Sequence, residues 1–193
     1  MNARLVVLIS GNGSNLQALL DVCACGDIPA GIVAVVSNKA DAYGLARACQ
    51  AGIPAVVLEK VPGQERGDYD AKLAELVAAH RPDWIVLAGW MRLLTSAFLD
   101  RFPGRVVNLH PALPGTFPGT HAIERSYAAW KAGEIDRTGV MVHLVPDEGV
   151  DSGPVLGVQE LTFLPAETLE EFEQRVHLAE HDLLVRTIRA LVS

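Results

Sequence analysis

An amide and an imidazole stand two residues apart near the middle of the chain, at Asn108 and His110, with Pro111 directly after them. Side chains two positions apart in an extended segment point to the same side, so both would face one crevice while Leu109 turns toward the core. An amide donates N–H groups to a developing oxyanion, and a histidine exchanges a proton near neutral pH. A single histidine is more often structural, but this pair at the end of a strand favours acyl or one-carbon transfer.

A carboxylate partner for the histidine is available in the loop 146–154, which holds Asp147, Glu148 and Asp151 among glycines and prolines. A carboxylate close to His110 would favour the imidazolium form and raise the pKa of the ring. Asp147 and Glu148 fit solvated turn acids. The apolar and rigid neighbours of Asp151 instead predict a fixed position for its side chain.

A second candidate site lies at residues 10–15, which read Ser-Gly-Asn-Gly-Ser-Asn between a predicted strand and a predicted helix. Glycines let the backbone approach an anion, and the free N–H groups of a helix N-terminus point at it. A dinucleotide site would need a third glycine at Leu16 and an acid at the end of the second strand, where Ser37 to Lys39 stand. The loop therefore suits one phosphate, and a turn that only caps the helix is the alternative.

A third candidate follows the fourth predicted strand, where residues 87–94 read Leu-Ala-Gly-Trp-Met-Arg-Leu-Leu. Trp90 and Met91 with flanking leucines can line an apolar slot for a flat ring. Composition alone slightly favours the alternative, a hydrophobic connection packed under the next helix.

Short apolar runs alternate with helical stretches, which is typical of βαβ units and a mainly parallel sheet covered on both faces. A capping-box spacing, Thr168 with Glu171, begins the last helix. Strands are predicted at 5–9, 32–36, 55–58, 84–88, 105–109, 139–145 and 155–163, and helices at 15–24, 43–51, 69–80, 96–101, 121–131 and 169–192.

These elements predict one α/β domain over residues 1–193: a Rossmann-like, open, twisted sheet that ends with a long C-terminal helix. In such folds ligands bind beyond the carboxyl ends of the strands, where all three candidate segments would meet.

Composition narrows the classes of function. Half of the 193 residues are hydrophobic, and the net charge of -7 argues against a nucleic-acid surface. Cys23, Cys25 and Cys49 are too few for a disulfide framework or a structural zinc site. The apolar run before Ser10 is too short for a signal peptide or a membrane span. We expect a cytoplasmic protein with small-molecule substrates and neither nucleic-acid nor membrane partners.

Six motifs together resemble the phosphoribosylglycinamide formyltransferases, and they stand in that family's order from residue 5 to about residue 190. The chain departs from the family at Met141, where a small hydroxyl residue is usual, at His177, where Lys or Gln is usual, and at Trp90, where Phe is frequent. The motifs are residues 11–17, 37–40, 87–92, 108–113, 117–119 and 150–154.

The resemblance implies that the amine of glycinamide ribonucleotide attacks the formyl carbon of 10-formyltetrahydrofolate, with no metal. Asn108 would steady the oxyanion of the tetrahedral intermediate. His110 would act as the acid that protonates the oxyanion or the departing folate nitrogen. Asp151 would hold and charge His110, directly or through an ordered water.

The same resemblance assigns binding residues in both halves of the chain. The N-terminal half would bind the ribonucleotide phosphate, and the C-terminal half would complete the folate site. His143 is interpreted as a strand histidine with a structural partner, and a monomer or a homodimer is expected. The ribonucleotide residues would be Gly13, Ser14, Asn15, Pro111, His177 and Glu180. The folate residues would be Arg66, Leu87, Trp90, Met91, Arg92, Leu93, Leu94, Asn108, Val150 and Asp151.

Rival activities would use the same three catalytic residues. Methionyl-tRNA formyltransferase adds a C-terminal RNA-binding domain, whereas this sequence stops at Ser193 with a net charge of -7. Formyltetrahydrofolate deformylase carries an extra N-terminal domain, whereas the first strand here is expected by residue 5. A catalytically silent nucleotide- or folate-binding module would keep the phosphate turn and the slot, and the intact catalytic set argues against it.

Overall fold

The first five strands run parallel and are mostly apolar, because helices cover both faces of the sheet that they form. The computed structural model describes residues 2–193. Leu5 to Ile9 are fully buried in the first strand. The five strands are β1 (Ala3–Ile9), β2 (Ala30–Ser37), β3 (Ala55–Val57), β4 (Trp84–Leu87) and β5 (Val106–His110).

Two antiparallel strands, β6 (Arg137–Leu144) and β7 (Val155–Thr162), extend the sheet beyond β5. Over residues 2–193 the strand order is β3-β2-β1-β4-β5-β6-β7. The register between β5 and β6 pairs Asn108 with His143 and His110 with Met141. The antiparallel pairing therefore sets a second histidine beside the predicted catalytic amide.

Helices divide the apolar core into one layer on each face of the sheet. Leu16 and Leu183 share one layer, and Leu73 and Phe98 share the other. The six helices of the described residues are α1 (Ser14–Ala24), α2 (Tyr43–Gln50), α3 (Arg66–Ala79), α4 (Ser96–Leu99), α5 (Ala122–Lys131) and α6 (Leu169–Val192).

The predicted architecture is confirmed: a single α/β domain with a mainly parallel sheet, helices on both faces and a long final helix. The capping box of α6 is present, since the Thr168 hydroxyl accepts from the Glu171 N–H and the Glu171 carboxylate accepts from the Thr168 N–H. Helix α3 begins at Arg66, earlier than the predicted residue 69, because its exposed and polar first turn hides the helical pattern. Within residues 2–193, no helix combines the length and the apolar composition that crossing a membrane requires.

The turn between β1 and α1 packs closely against the start of α2. Gly13 adopts φ 75°, and a Cβ atom at this position would lie 2.8 Å from the Gly44 Cα. The Gly44 N–H donates to the Gly11 carbonyl at 3.1 Å. The Arg47 guanidinium donates to the Asn12 carbonyl at 3.0 Å and to the Asn12 side-chain oxygen at 3.1 Å. The start of helix α2 thus fixes the backbone of the turn at residues 11–13.

This packing predicts that Gly13→Ala lowers the free energy of unfolding by about 2 to 4 kcal/mol, from the left-handed backbone and the overlap with Gly44 together. Gly52→Ala is the matched control. Gly52 has φ 70° and, among the described atoms, none within 4 Å of its Cβ position. Its replacement should cost only the backbone part, about 1 to 2 kcal/mol. Urea unfolding measures both changes, and equal losses would contradict the close packing.

Candidate active site

A cleft with a volume of about 360 Å³ opens beside the ends of β4 and β5. The slot residues lie along one wall, and the loop between β6 and β7 lies along the other. Thus the structure brings most of the predicted catalytic and folate residues into one place. Of those predicted, the cleft is lined by Leu87, Trp90, Met91, Arg92, Leu93, Leu94, Asn108, His110, Pro111, Val150 and Asp151.

Asn108 directs its amide nitrogen at two acceptors. Nδ2 lies 3.0 Å from Asp151 Oδ1 and 3.1 Å from His143 Nε2. The Nδ1 atom of His143 lies 2.8 Å from the Leu144 carbonyl, which can only accept, so Nδ1 carries a proton. In the neutral form of the ring, Nε2 is then the acceptor for Asn108. Both hydrogens of the Asn108 amide are therefore used within the protein.

His110 has an acceptor beside each ring nitrogen. Nδ1 lies 3.3 Å from Asp151 Oδ2, and Nε2 lies 3.1 Å from the Phe117 carbonyl. The ring is buried, with 4% of its residue surface exposed. Burial lowers the pKa of His110 below its ordinary value, although Asp151 and the Phe117 carbonyl both raise it. The neighbouring carboxylate thus raises the pKa as the sequence analysis expects, but burial lowers it by more, so the net shift is downward.

Asp151 is held by groups from several parts of the chain. The Gly119 N–H donates to Oδ2 at 2.8 Å, in addition to the bond from Asn108. Burial acts to raise the pKa of Asp151, but the His143 side chain, the Gly119 N–H and the charge of His110 lower it below the ordinary value overall. Asp151 is thus ionised near neutral pH and can stabilise an imidazolium at His110.

His143 lies in the site, although the sequence analysis does not include it among the site residues. As that analysis expects, it is a strand histidine with partners, but those partners are in the site: its ring contacts Asn108 and lies 3.5 Å from Asp151 Oδ1. Only the antiparallel register of β6 on β5 places it there. The sequence offered one weak sign, a histidine in an otherwise apolar strand shortly before the acidic loop.

The slot residues differ in how deeply they are buried. Trp90 and Leu94 line the cleft but are themselves buried in the core layer under α3 and α4. Met91 and Leu93 expose 62% and 49% of their surface, as a binding wall requires. Arg66, on α3, lies at the rim, where Nη2 is 3.5 Å from the Leu93 carbonyl.

The predicted ribonucleotide residues form a separate cluster outside the cleft, Pro111 excepted. Glu180 is 6% exposed, and its Oε2 lies 2.7 Å from His177 Nδ1 and 3.4 Å from Asn15 Nδ2. The hydrogen bond to Glu180 raises the pKa of His177 above its ordinary value. Within the described residues, the buried Asn15 Oδ1 has no partner. Gly13 and Ser14 stand at the start of α1, next to this cluster.

Ser10 joins the two regions. Its N–H donates to the Gly89 carbonyl at 3.1 Å, and its hydroxyl accepts from the Met91 N–H at 2.8 Å. The turn at the end of β1 is therefore fixed directly to the slot segment. Across residues 2–193, no group of three or more His, Cys, Asp or Glu side chains could hold a metal ion.

Comparison of the sequence with known proteins identifies its family. The formyl transferase family model matches residues 3–188. The chain belongs to the formyl transferase family. It is 43% identical to phosphoribosylglycinamide formyltransferase of Schizosaccharomyces pombe over 205 aligned residues, which cover 100% of this chain and 99% of that protein. It is 41% identical to the Escherichia coli K12 protein of the same name, covering 92% of this chain and 81% of that one.

Solved structures agree with this formyl transferase assignment. Glycinamide ribonucleotide transformylase 1 of Symbiobacterium toebii superposes with a TM-score of 0.92 at 39% identity, covering 99% of this chain and 88% of that one. The resemblance drawn from the six motifs is confirmed. The roles of individual residues stay predictions.

The arrangement of charges in the cleft predicts that Asp151→Asn lowers the pKa of His110 further, because a favourable negative charge is lost while burial remains. Titration of the His110 ring followed by NMR measures the shift. Asp147→Asn is the matched control, since Asp147 also lines the cleft but bonds to the Gly149 N–H. An unchanged or higher pKa in Asp151→Asn would contradict the electrostatic coupling.

Proposed function

We propose that this formyl transferase moves the formyl group of 10-formyltetrahydrofolate to the amine of glycinamide ribonucleotide. The products are formylglycinamide ribonucleotide and tetrahydrofolate, as purine biosynthesis requires. The observation that carries the proposal is the contact set of Asn108, His110 and Asp151 at one end of an apolar cleft.

The cleft fits the pterin ring of the folate. A flat heteroaromatic ring needs apolar walls and a few polar groups at its edge. Met91 and Leu93 present exposed apolar side chains on one wall, and Val150 presents one on the other. Arg66 at the rim is placed for a carboxylate of the glutamate tail.

His110 handles the proton of the reaction. Neutral imidazole carries one N–H, so only the imidazolium donates to both Asp151 and the Phe117 carbonyl. Burial keeps the pKa of the ring low, which makes the imidazolium a stronger acid once its Nε2–H leaves the Phe117 carbonyl for the oxyanion or the departing folate nitrogen. The neutral ring then accepts the proton that the attacking amine loses, so the ring ends the reaction in its starting form. Asp151 orients the ring and offsets the charge.

Asn108 stabilises the oxyanion after one of its two hydrogen bonds within the protein is replaced by a bond to the oxyanion. Both of its amide hydrogens are used, one by the Asp151 carboxylate and one by the ring nitrogen Nε2 of His143. A hydrogen bond to a charged acceptor is stronger than one to a neutral acceptor. The bond to His143 is therefore the one released toward the oxyanion.

The ribonucleotide binds at the cluster of Asn15, His177 and Glu180, which Ser10 separates from the folate cleft. The N–H groups at the start of α1 would receive the phosphate. The bonds from Asn15 and His177 both use Oε2 of Glu180, which leaves Oε1 to accept from a ribose hydroxyl. Asn15 Oδ1 offers a second buried acceptor beside it.

The reaction needs only small-molecule substrates, and none of the steps assigned to these side chains requires a metal. We infer a cytoplasmic enzyme without nucleic-acid partners, either monomeric or homodimeric.

A spectrophotometric transfer assay with 10-formyl-5,8-dideazafolate and glycinamide ribonucleotide tests the activity. We expect acceptor-dependent turnover that falls by about 10²- to 10⁴-fold in His110→Ala and in Asp151→Asn. His80→Ala is the control, since His80 lies at the end of α3 beside the start of β1, at the amino ends of the strands and away from the cleft. Loss of the formyl group without acceptor would indicate a deformylase, and ligand binding without turnover would indicate a silent module.

Glu180→Gln tests the ribonucleotide site. We expect the KM for glycinamide ribonucleotide to rise about tenfold with little change in kcat, because the carboxylate contributes to binding rather than to the chemical step. Asp182→Asn removes an acid from the same helix, where it pairs with Arg186 in solvent, and should leave both constants unchanged. A fall in kcat at constant KM would place Glu180 in the chemical step instead.

A further inference from the structure

Arg125, on α5, forms hydrogen bonds to backbone carbonyls of the loop that precedes its helix. Its Nη2 donates to the Phe117 carbonyl at 2.8 Å and to the Pro118 carbonyl at 2.6 Å. Its Nε donates to the His121 carbonyl at 3.4 Å, and the guanidinium lies 5.9 Å from the centre of the Phe117 ring. One side chain thus restrains three carbonyl groups.

Residues 117–119, which Arg125 holds, supply one backbone group to each member of the catalytic pair, His110 and Asp151. The Phe117 carbonyl faces His110 Nε2 at 3.1 Å, and the Gly119 N–H donates to Asp151 Oδ2 at 2.8 Å. Arg125 and His110 therefore share one carbonyl oxygen. A displacement of residues 117–119 would change the hydrogen bonding of His110 and Asp151 together.

The segment needs an external restraint because its backbone is strained. Phe117 and His121 adopt φ 45° and 57°, in the left-handed region that non-glycine residues avoid. Pro118 cannot donate a hydrogen bond, which removes one internal support. The three donations from Arg125 offset this strain.

We propose that Arg125 is a positioning residue for formyl transfer, which holds residues 117–119 so that the Phe117 carbonyl orients His110 and the Gly119 N–H orients Asp151. The inference rests on the proposed function of the same site. Only a planar, forked donor reaches all three carbonyls, so lysine cannot replace the guanidinium. The charged and titratable groups that act on His110 are Asp151, His143 and Arg125 itself.

Arg125→Lys tests the hydrogen-bonding geometry separately from the charge, because lysine keeps the positive charge but lacks the several planar N–H donors of the guanidinium. We expect kcat to fall about 10- to 100-fold, as misplacement of a catalytic group by an ångström does. The KM for each substrate should stay within about threefold, because the ligand-binding walls are unchanged. Hydrogen exchange of the Gly119 amide, measured by NMR, should accelerate as its bond to Asp151 loosens.

Two further variants complete the test. Arg125→Met loses both charge and fork and should match or exceed the effects of the lysine variant. Lys131→Met removes a positive charge from the same helix, where the lysine packs on the rings of Tyr127 and Trp130, and should change neither kcat nor the exchange of Gly119.

The inference is overturned if Arg125→Lys keeps wild-type kcat and Gly119 exchange, or if only its KM for ribonucleotide rises, which would make Arg125 a substrate contact. If the wild type shows no acceptor-dependent transfer, the proposed function fails separately. Gly119 exchange then still decides the claim, since wild-type exchange in Arg125→Lys would mean that the arginine does not hold the segment.

Discussion

The Asp151 carboxylate is the group on which the rest of the site depends. Its side chain is only 11% exposed, and a buried charge is tolerated only where hydrogen bonds and opposite charges replace water. Asn108 and His110 come from β5, His143 comes from β6, and the Gly119 N–H comes from the loop before α5. One negative charge therefore connects β5, β6 and the loop before α5.

Opposing electrostatic effects set the proton chemistry of His110. Burial lowers the pKa of the ring, and the neighbouring carboxylate and carbonyl oppose that change. The balance depends on positions that residues outside the cleft control, including the conformation of Phe117 and the register of β6. Chemistry and fold are consequently coupled here, because a small movement of the loop alters both the orientation and the acidity of one imidazole.

The local pattern of the sequence predicted the strands that carry this site and the direction of their side chains. The apolar run of β1 and the alternation of Asn108, Leu109 and His110 depend on neighbours in sequence, and both predictions match the structure. The contacts of His143 could not be predicted, because they depend on the antiparallel register between two strands. The direction of the His110 pKa shift could not be predicted either, since the depth of burial belongs to the folded chain.

A crystal structure with glycinamide ribonucleotide and a folate analogue that lacks a transferable formyl group is the most direct test of the catalytic pair. We predict that the ribonucleotide amine and the formyl-bearing position of the folate meet within about 3 Å of His110 or Asn108. We also predict that the ribose hydroxyls contact Glu180. If the two reactive groups met away from His110, with Asp151 still paired as described, the assignment of the catalytic pair would be wrong.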